Sequence, residues 1–397
     1  MAYPFTRHHG SPKTPDFIKG FELSSRKAPH PRPKMGYVRF LCIFLVTIVA
    51  LFLTLHPWLH RPSTQLDRIP FAESQITDYF GHFQGRQDCG ISSEDVYLPP
   101  PSTHRDGTKG QIEYCKNRAT LLEALNGGGR HGFDAPYTPK ACHYRWYSTA
   151  EICMILDRFD GIIFVGDNTL RQVYAAFNVL LRENAALGAL KQWEMNESER
   201  GACRCESQFI KADCARFAVA ESEEVKKNDA GSGHQSPYYC NRTPHKFLSI
   251  TSSPASDEQR SSFHSIAEGD PESYKPIPII LSLSLGASLS WPSTTASMDE
   301  WVSLAETSER SVPMLWLGPV AAGHLKPPGQ ILSQGNNALW HFTVEMTKEA
   351  RARDMDSLNM YNLTLQASSW DGSGYGEKVA LVQAQMIINW LSRLDST

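Results

Sequence analysis

The stretch Phe164-Val-Gly-Asp-Asn-Thr-Leu-Arg-Gln172 joins an apolar run to a segment with helical periodicity. Residues 161–165 form a short apolar run, which predicts a buried β-strand. Because ligands of parallel sheets bind at the carboxyl ends of the strands, the turn after Val165 is the expected binding site. The helix after that turn is predicted from apolar residues three and four positions apart: Leu170, Val173, Tyr174, Phe177, Leu180 and Leu181.

Further apolar runs extend this pattern along the chain. Residues 279–283 and 314–317 predict two more strands, and residues 378–394 predict a buried last helix. Short strands that alternate with helices predict an α/β fold, with a parallel sheet flanked by helices. The polar stretches 219–237 and 251–275 lack periodicity, so we expect long surface loops there.

Composition narrows the class of protein. The chain has 397 residues, of which 41% are hydrophobic and 20% charged, with a formal net charge of −3. These values exclude a collagen-like, fully disordered or polytopic membrane protein, and we expect no nucleic-acid partner. The charge is uneven, because residues 1–39 carry a local excess of Lys and Arg.

The basic N-terminal region precedes an uncharged apolar run at residues 40–55, with aromatic residues near both ends. We predict a disordered cytosolic tail (1–36), a single transmembrane signal anchor (37–59), a lumenal stem (60–88) and a lumenal domain (89–397). A cleaved signal peptide is the alternative, but the run starts late and exceeds the usual ~7–15 apolar residues. The prediction is a type II, single-pass protein of a secretory-pathway membrane, with the Golgi favoured and the endoplasmic reticulum as the alternative.

Cysteine usage fits a lumenal domain. Of nine cysteines, only Cys42 lies in the predicted membrane segment. The others predict up to four disulfides whose pairing the sequence does not give, and a zinc site at 203–240 is the alternative. The predicted disulfide cysteines are Cys89, Cys115, Cys142, Cys153, Cys203, Cys205, Cys214 and Cys240.

Three Asn-x-Ser/Thr triplets follow the predicted anchor. They begin at Asn196, Asn241 and Asn362, and each is a candidate N-glycosylation acceptor. Their position after residue 59 agrees with a lumenal orientation.

Four blocks together resemble a known family. They are Cys142-His-Tyr-Arg-Trp146, Cys153-Met-Ile-Leu-Asp-Arg-Phe-Asp160, the Gly166-Asp167-Asn168 turn, and Trp370-Asp-Gly-Ser-Gly-Tyr-Gly376. Their order is similar to that of the PC-esterase group of the SGNH (GDSL-type) superfamily, which includes trichome-birefringence-like and fungal capsule O-acetyltransferase-like proteins. The resemblance implies an SGNH-like domain, a glycan ligand, acyl transfer as the family activity, and neither a metal nor another cofactor.

The chain departs from this family at two positions of the implied Ser–His–Asp triad. Asn168 stands at the nucleophile position and Gly374 at the base position, while Asp371 retains the acid. Asn has no hydroxyl and Gly cannot accept a proton, so that route is unavailable. Helix capping alone would explain Asn168. The family's oxyanion and pocket positions would fall at Asp167 and Gly286.

Two hypotheses about function follow. The first is a catalytically degenerate domain that binds glycans. The alternative is an active glycan O-acetyltransferase or acetyl esterase with a rearranged site. Residues that could substitute in such a site are Thr169, Ser373, His324 and His341.

Overall fold

The computed structural model describes residues 78–100, 113–229, 240, 242–268 and 273–394, all within the compact unit Ser74–Thr397. The predicted tail (1–36) and anchor (37–59) lie outside the described residues. Within the described ranges, no helix is long and apolar enough to cross a bilayer.

A five-stranded parallel sheet forms the centre of the domain, in the order β4-β3-β5-β6-β7. A separate antiparallel pair, β1 and β2, lies outside it. The α/β class predicted from the alternating pattern is therefore confirmed. The strands are β1 Gly129–Arg130, β2 Tyr137–Thr138, β3 Ile162–Gly166, β4 His245–Ser249, β5 Ile279–Ser282, β6 Met314–Leu317 and β7 Asp356–Leu358.

Helices cover both faces of the sheet, as a parallel sheet requires. The short helices are α1 Arg86–Cys89, α2 Ser93–Val96, α6 Glu197–Ala202, α7 Ser207–Ile210, α8 Ser222–Asp229, α11 Ile331–Gln334 and α13 Tyr361–Thr364. The longer helices are α3 Arg118–Gly127, α4 Thr149–Leu156, α5 Asn168–Arg182, α9 Asp257–Glu268, α10 Trp291–Thr307, α12 Asn336–Arg351 and α14 Glu377–Ser392.

Alternation along β3 divides the core into two layers. Ile162 and Phe164 point into the layer that contains α5 and α14, and Ile163 and Val165 point into the opposite layer. Phe263 of α9 lies in that opposite layer, together with residues of α10 and α12. All residues of β3, β5 and β6 are buried, because both faces are covered.

Two segments predicted as surface loops contain helices instead. The predicted loop at 219–237 includes α8, where Val225 is fully buried. The predicted loop at 251–275 includes α9, where Phe263 is fully buried. In each case, a few apolar residues on an otherwise polar segment anchor the helix to the core, so composition alone gave the wrong assignment.

The folded domain also begins earlier than residue 89. Phe80 is fully buried and Phe83 is 7% exposed, and their rings pack edge to face with centroids 5.1 Å apart. Phe80 also contacts Trp146. Residues 78–88 therefore belong to the domain and not to the predicted stem, because their aromatic side chains complete its core.

Four disulfides use all eight cysteines of the predicted lumenal region. The zinc alternative for residues 203–240 is therefore wrong, because the four sulfurs concerned are all paired. The pairs are Cys89–Cys205, Cys115–Cys142, Cys153–Cys240 and Cys203–Cys214.

Candidate functional site

Asp167 fixes the turn after β3. Its Oδ1 accepts a hydrogen bond from the Thr169 amide at 2.9 Å, which makes Asp167 the N-cap of α5. Its Oδ2 accepts from the backbone amides of Ser284 at 3.2 Å and Gly286 at 2.8 Å. The carboxylate therefore ties the turn after β3 to the turn after the neighbouring strand, β5.

This arrangement corrects two predicted roles. Asn168 is the first residue of α5 and not its cap, because the side chain of Asp167 reaches the free amide of the first turn. The N–H of Gly286 already donates to Asp167, so it is not a free oxyanion donor. A Cβ at residue 286 would lie 2.6 Å from the Asp167 Cβ, so only glycine permits this approach.

The side chain of Asn168 is exposed and bound to its own helix. Its Oδ1 accepts from Arg171 Nε at 2.8 Å and from Arg171 Nη2. The two residues are one helical turn apart, so this i, i+3 contact could be expected from the sequence spacing. Burial lowers the pKa of the Arg171 guanidinium from its ordinary value.

Asp371 organises the glycine-rich turn that precedes α14. Its Oδ1 accepts from the amides of Ser373 at 2.8 Å and Gly374 at 2.6 Å. Gly372 has a φ of +82°, and a Cβ there would lie 2.2 Å from the Lys326 backbone nitrogen. Glycine is needed at 372 for both reasons, and the turn is held in one conformation.

The turns around Asn168 and Asp371 meet in one cavity of about 340 Å³. The structure therefore brings together two positions that are far apart in sequence. Gly374 and Gly286 also line this cavity, as does the part of Asp167 that is not covered. The cavity lies beyond the carboxyl ends of β3 and β5, where parallel sheets bind their ligands.

The geometry at residue 374 suits a side chain that the chain lacks. A Cβ built there would lie 3.3 Å from Asp371 Oδ1 and 3.5 Å from Gln172 Nε2. A side chain at 374 would thus start beside the carboxylate, as the base of a triad must. With glycine there, Asp371 has only the backbone amides of its own turn as hydrogen-bond donors among the described residues.

The remaining walls supply cations and an aromatic ring. Arg171 and Lys211 both line the cavity, and neither has a carboxylate partner among the described residues. Trp370 lies on the rim and is 52% exposed, while its indole N–H donates to Glu206 Oε1 at 3.3 Å. None of these residues was singled out from the sequence, because cationic and aromatic residues are common on any surface.

The four residues proposed as substitutes divide into two pairs. Thr169 and Ser373 line the cavity. His324 and His341 do not: His324 lies beside Phe133, and His341 is an exposed residue of α12. The described residues therefore bring no histidine to the cavity. They also contain no group of His, Cys, Asp and Glu side chains able to hold a metal.

A buried acid lies directly after the glycine-rich turn. Glu377, the first residue of α14, is 3% exposed, and its Oε1 has no hydrogen-bond partner among the described residues. Burial, with a smaller effect of the Glu206 carboxylate, raises the pKa of Glu377 to about 8. The same Glu206 holds Trp370, so this acid is close to the rim of the cavity.

The predicted glycosylation acceptors differ in their surroundings. Asn196 is exposed and caps α6, accepting from the Glu199 amide through Oδ1, so its Nδ2 is not used for the cap. Asn362 donates through Nδ2 to the Asn126 carbonyl at 2.8 Å, and Thr364 of the same triplet is fully buried. Asn241 lies outside the described residues.

Comparison with known proteins gives only distant structural similarity. No protein-family model matches the chain, and no curated protein sequence matches it. A similar solved structure is Est24, a carbohydrate acetylesterase from Sinorhizobium meliloti, with a TM-score of 0.29 and 10% sequence identity. The similarity covers 57% of this chain and 96% of that one. The functional proposal therefore rests on the residues of the cavity.

Proposed function

We propose that residues 78–394 form an SGNH-like domain related to the PC-esterase group, and that the cavity beside Asn168 and Asp371 binds a glycan. One observation carries the proposal. Two of the blocks that resemble the family in sequence, the turn at 166–168 and the turn at 370–376, line a single cavity at the carboxyl ends of a parallel sheet.

The lining of the cavity suits a carbohydrate. Arg171, Gln172 and Asp371 offer donors and acceptors for hydroxyl groups, and the exposed ring of Trp370 offers a flat apolar surface beside them. A site with a few placed polar groups and an aromatic wall can fix the orientation of a polar ligand. The described cavity is small, so it would hold one end or one residue of a longer glycan.

The proposed function does not use a Ser–His–Asp mechanism. The nucleophile position carries Asn168, whose amide oxygen is held by Arg171, and the base position carries Gly374. Asp371 alone cannot activate a hydroxyl, because in a triad it acts through the imidazole that it orients. We infer that the domain is degenerate with respect to the family's triad.

The proposed compartment rests on the predicted anchor and on the cysteines. We propose that residues 37–59 anchor the chain in a secretory-pathway membrane, in the Golgi, with the tail 1–36 in the cytosol. The disulfides support a lumenal domain, because disulfides form and persist in oxidising compartments.

The test is glycan binding by the full-length chain on an array of O-acetylated and unacetylated oligosaccharides. For a glycan that binds, Trp370→Ala should weaken the affinity about 10-fold, or ~1.4 kcal/mol, because the ring is lost from the rim. Trp291→Ala is the matched control, since Trp291 is 43% exposed and does not line the cavity. Equal affinities of the two variants would contradict the proposed site.

A further inference from the structure

Lys326 is a buried lysine without an ion-pair partner among the described residues. Its side chain belongs to a residue that is only 8% exposed, on the loop that follows β6. Its Nζ lies 2.9 Å from Gln334 Oε1 and 2.6 Å from Ser373 Oγ. No carboxylate in the described part of the chain lies within ion-pair distance of it.

Both partners of this ammonium group are therefore neutral oxygens, which is unusual because buried charges are normally paired. Burial lowers the pKa of Lys326 from its ordinary value, although the carboxylate of Asp371 acts in the opposite direction. A lysine in such surroundings loses its proton more readily than an exposed one, and neutral lysines act as general bases.

Ser373 connects this lysine to the cavity. It lines the cavity together with Asn168 and Asp371. Its amide is fixed by Asp371, and the Gly372 carbonyl accepts from the Gly323 amide at 3.0 Å, so the turn and the Lys326 loop are joined. The Ser373 hydroxyl and the Lys326 amine therefore face each other, and the backbone hydrogen bond between their two loops keeps them in place.

We propose that Ser373 and Lys326 form a nucleophile and base pair for acyl transfer in this cavity. The proposal rests on the proposed function, because the acyl donor is an O-acyl ester of the bound glycan. It places chemistry in the cavity although the Asn168 and Gly374 positions cannot supply it. Serine–lysine pairs that share this division of roles occur on unrelated folds.

The reaction balances without any other group. Ser373 Oγ attacks the ester carbonyl carbon while neutral Lys326 Nζ accepts the hydroxyl proton. The bond between the acyl carbon and the glycan oxygen then breaks, and that oxygen leaves with the proton from Lys326. A water molecule next attacks the acyl-serine, giving its proton to Lys326, and Ser373 leaves as the free hydroxyl when that proton returns to it.

The simpler explanation is that Lys326 only holds the glycine-rich turn in place. Two variants separate these roles. Lys326→Arg keeps the charge and hydrogen-bond donors but cannot accept a proton at any accessible pH. Ser373→Ala removes the nucleophile. A matched control is Ser333→Ala, since Ser333 is an exposed serine of α11, outside the cavity.

The experiment treats the full-length chain with a fluorophosphonate probe and locates the adduct by peptide mass mapping. We expect an adduct on Ser373 in the native chain and in Ser333→Ala, and none in Ser373→Ala. Lys326→Arg should react at least about 100-fold more slowly, the usual contribution of a general base. The rate of adduct formation in the native chain should rise with pH, and the rise should occur below the ordinary lysine pKa, because neutral Lys326 is the reactive form. Hydrolysis of 4-nitrophenyl acetate should follow the same pattern.

Intact disulfides and an unchanged near-UV circular dichroism spectrum establish that each variant is folded. A folded native chain without an adduct on Ser373 would overturn the proposal. So would native reactivity in Lys326→Arg, because a purely structural tie survives that substitution. Glycan binding without labelling would leave the proposed function standing and remove only the pair. Labelling without glycan binding would retain the pair and reject the glycan as the acyl donor.

Discussion

At the scale of single residues, position 374 is where the site departs most from a hydrolase. A Cβ at 374 would lie 3.3 Å from Asp371 Oδ1, so the acid is in place while its partner is missing. Asn168 lines the same cavity at the nucleophile position. If these positions correspond to the proposed triad, only two side chains are missing from it, and the space beside Asp371 could accept a side chain at 374.

A serine at position 168 and a histidine at position 374 should therefore form a proton relay with Asp371. In a Ser373→Ala background, which removes the other candidate nucleophile, Asn168→Ser with Gly374→His should raise acetyl-ester hydrolysis about 10-fold or more. Each single substitution should stay near background, because a serine without a base, or a base without a serine, completes no proton transfer. The measurement is initial-rate hydrolysis of 4-nitrophenyl acetate.

The matched control for this gain is the same double substitution combined with Asp371→Asn, which should lose most of the restored rate because the histidine is no longer oriented. A double variant that is folded and no faster than its parent would show that residues 168, 371 and 374 are not arranged as a triad.

A second residue-scale prediction concerns the buried acid Glu377. Its pKa is raised to about 8, first by burial and second by Glu206, so the folded state favours the protonated form. The contribution of protonated Glu377 to the free energy of unfolding is therefore fully present below the ordinary carboxyl pKa of 4.5. This contribution is lost as the pH rises towards 8.

Glu377→Gln should reduce the loss of stability at rising pH, because the amide cannot ionise. We expect the melting temperature of the variant to exceed that of the native chain above about pH 8, and the difference to shrink towards acidic pH. Glu306→Gln, at an exposed residue of α10, is the control and should follow the native profile. Parallel melting curves of Glu377→Gln and native chain across this range would contradict the burial argument.

At the scale of elements, the site depends on one helix start. Asp167 caps α5 and also accepts the amides of Ser284 and Gly286, so it joins the turns after β3 and β5. A cap alone contributes about 0.5–2 kcal/mol, whereas a buried carboxylate that also serves other amides leaves those amides unpaired when it is removed.

Asp167→Ala should therefore lower the free energy of unfolding by about 2–4 kcal/mol, adding a lost cap to the cost of orphaned amides. Asn117→Ala is the matched comparison, since Asn117 caps α3 at the surface and should cost ~1 kcal/mol. Urea denaturation measures both. Equal costs would mean that the bonds from Ser284 and Gly286 contribute nothing to stability.

At the scale of the whole molecule, topology and compartment can be tested through glycosylation. Asn196 is exposed at the start of α6, whereas Asn362 uses its Nδ2 in a bond to the Asn126 carbonyl. If the domain is lumenal, Asn196 should carry a glycan, while a glycan on Asn362 Nδ2 would break the bond to the Asn126 carbonyl.

We expect Asn196→Gln to remove a glycan from the mature protein and Asn362→Gln to leave the glycan mass unchanged, as read by mass spectrometry after N-glycosidase treatment. Ser333→Ala, away from every triplet, is the control. Mature protein without any N-linked glycan would argue against the lumenal orientation.

Much of the fold was predictable because a strand that is buried on both faces is a continuous apolar run in the sequence. The strands β3, β5 and β6 are continuous apolar runs, and all were predicted within a residue or so of their bounds. The edge strands β4 and β7 were missed because they include polar residues such as Lys246 and Asp356. At an edge, only one neighbour and part of the surface constrain the residue type.

The sequence by itself determined the α/β class and the absence of a hydroxyl at position 168 and of an imidazole at position 374, because both follow from residue identity. Side-chain chemistry at Asn168 and Gly374 does not depend on where the chain places them. Only the tertiary structure decided the cysteine pairing, the bonds from Asp167 to the turn after β5 and the contact between Lys326 and Ser373. These depend on how segments that are far apart in the sequence meet in the folded domain, and no local pattern in the chain encodes such a meeting.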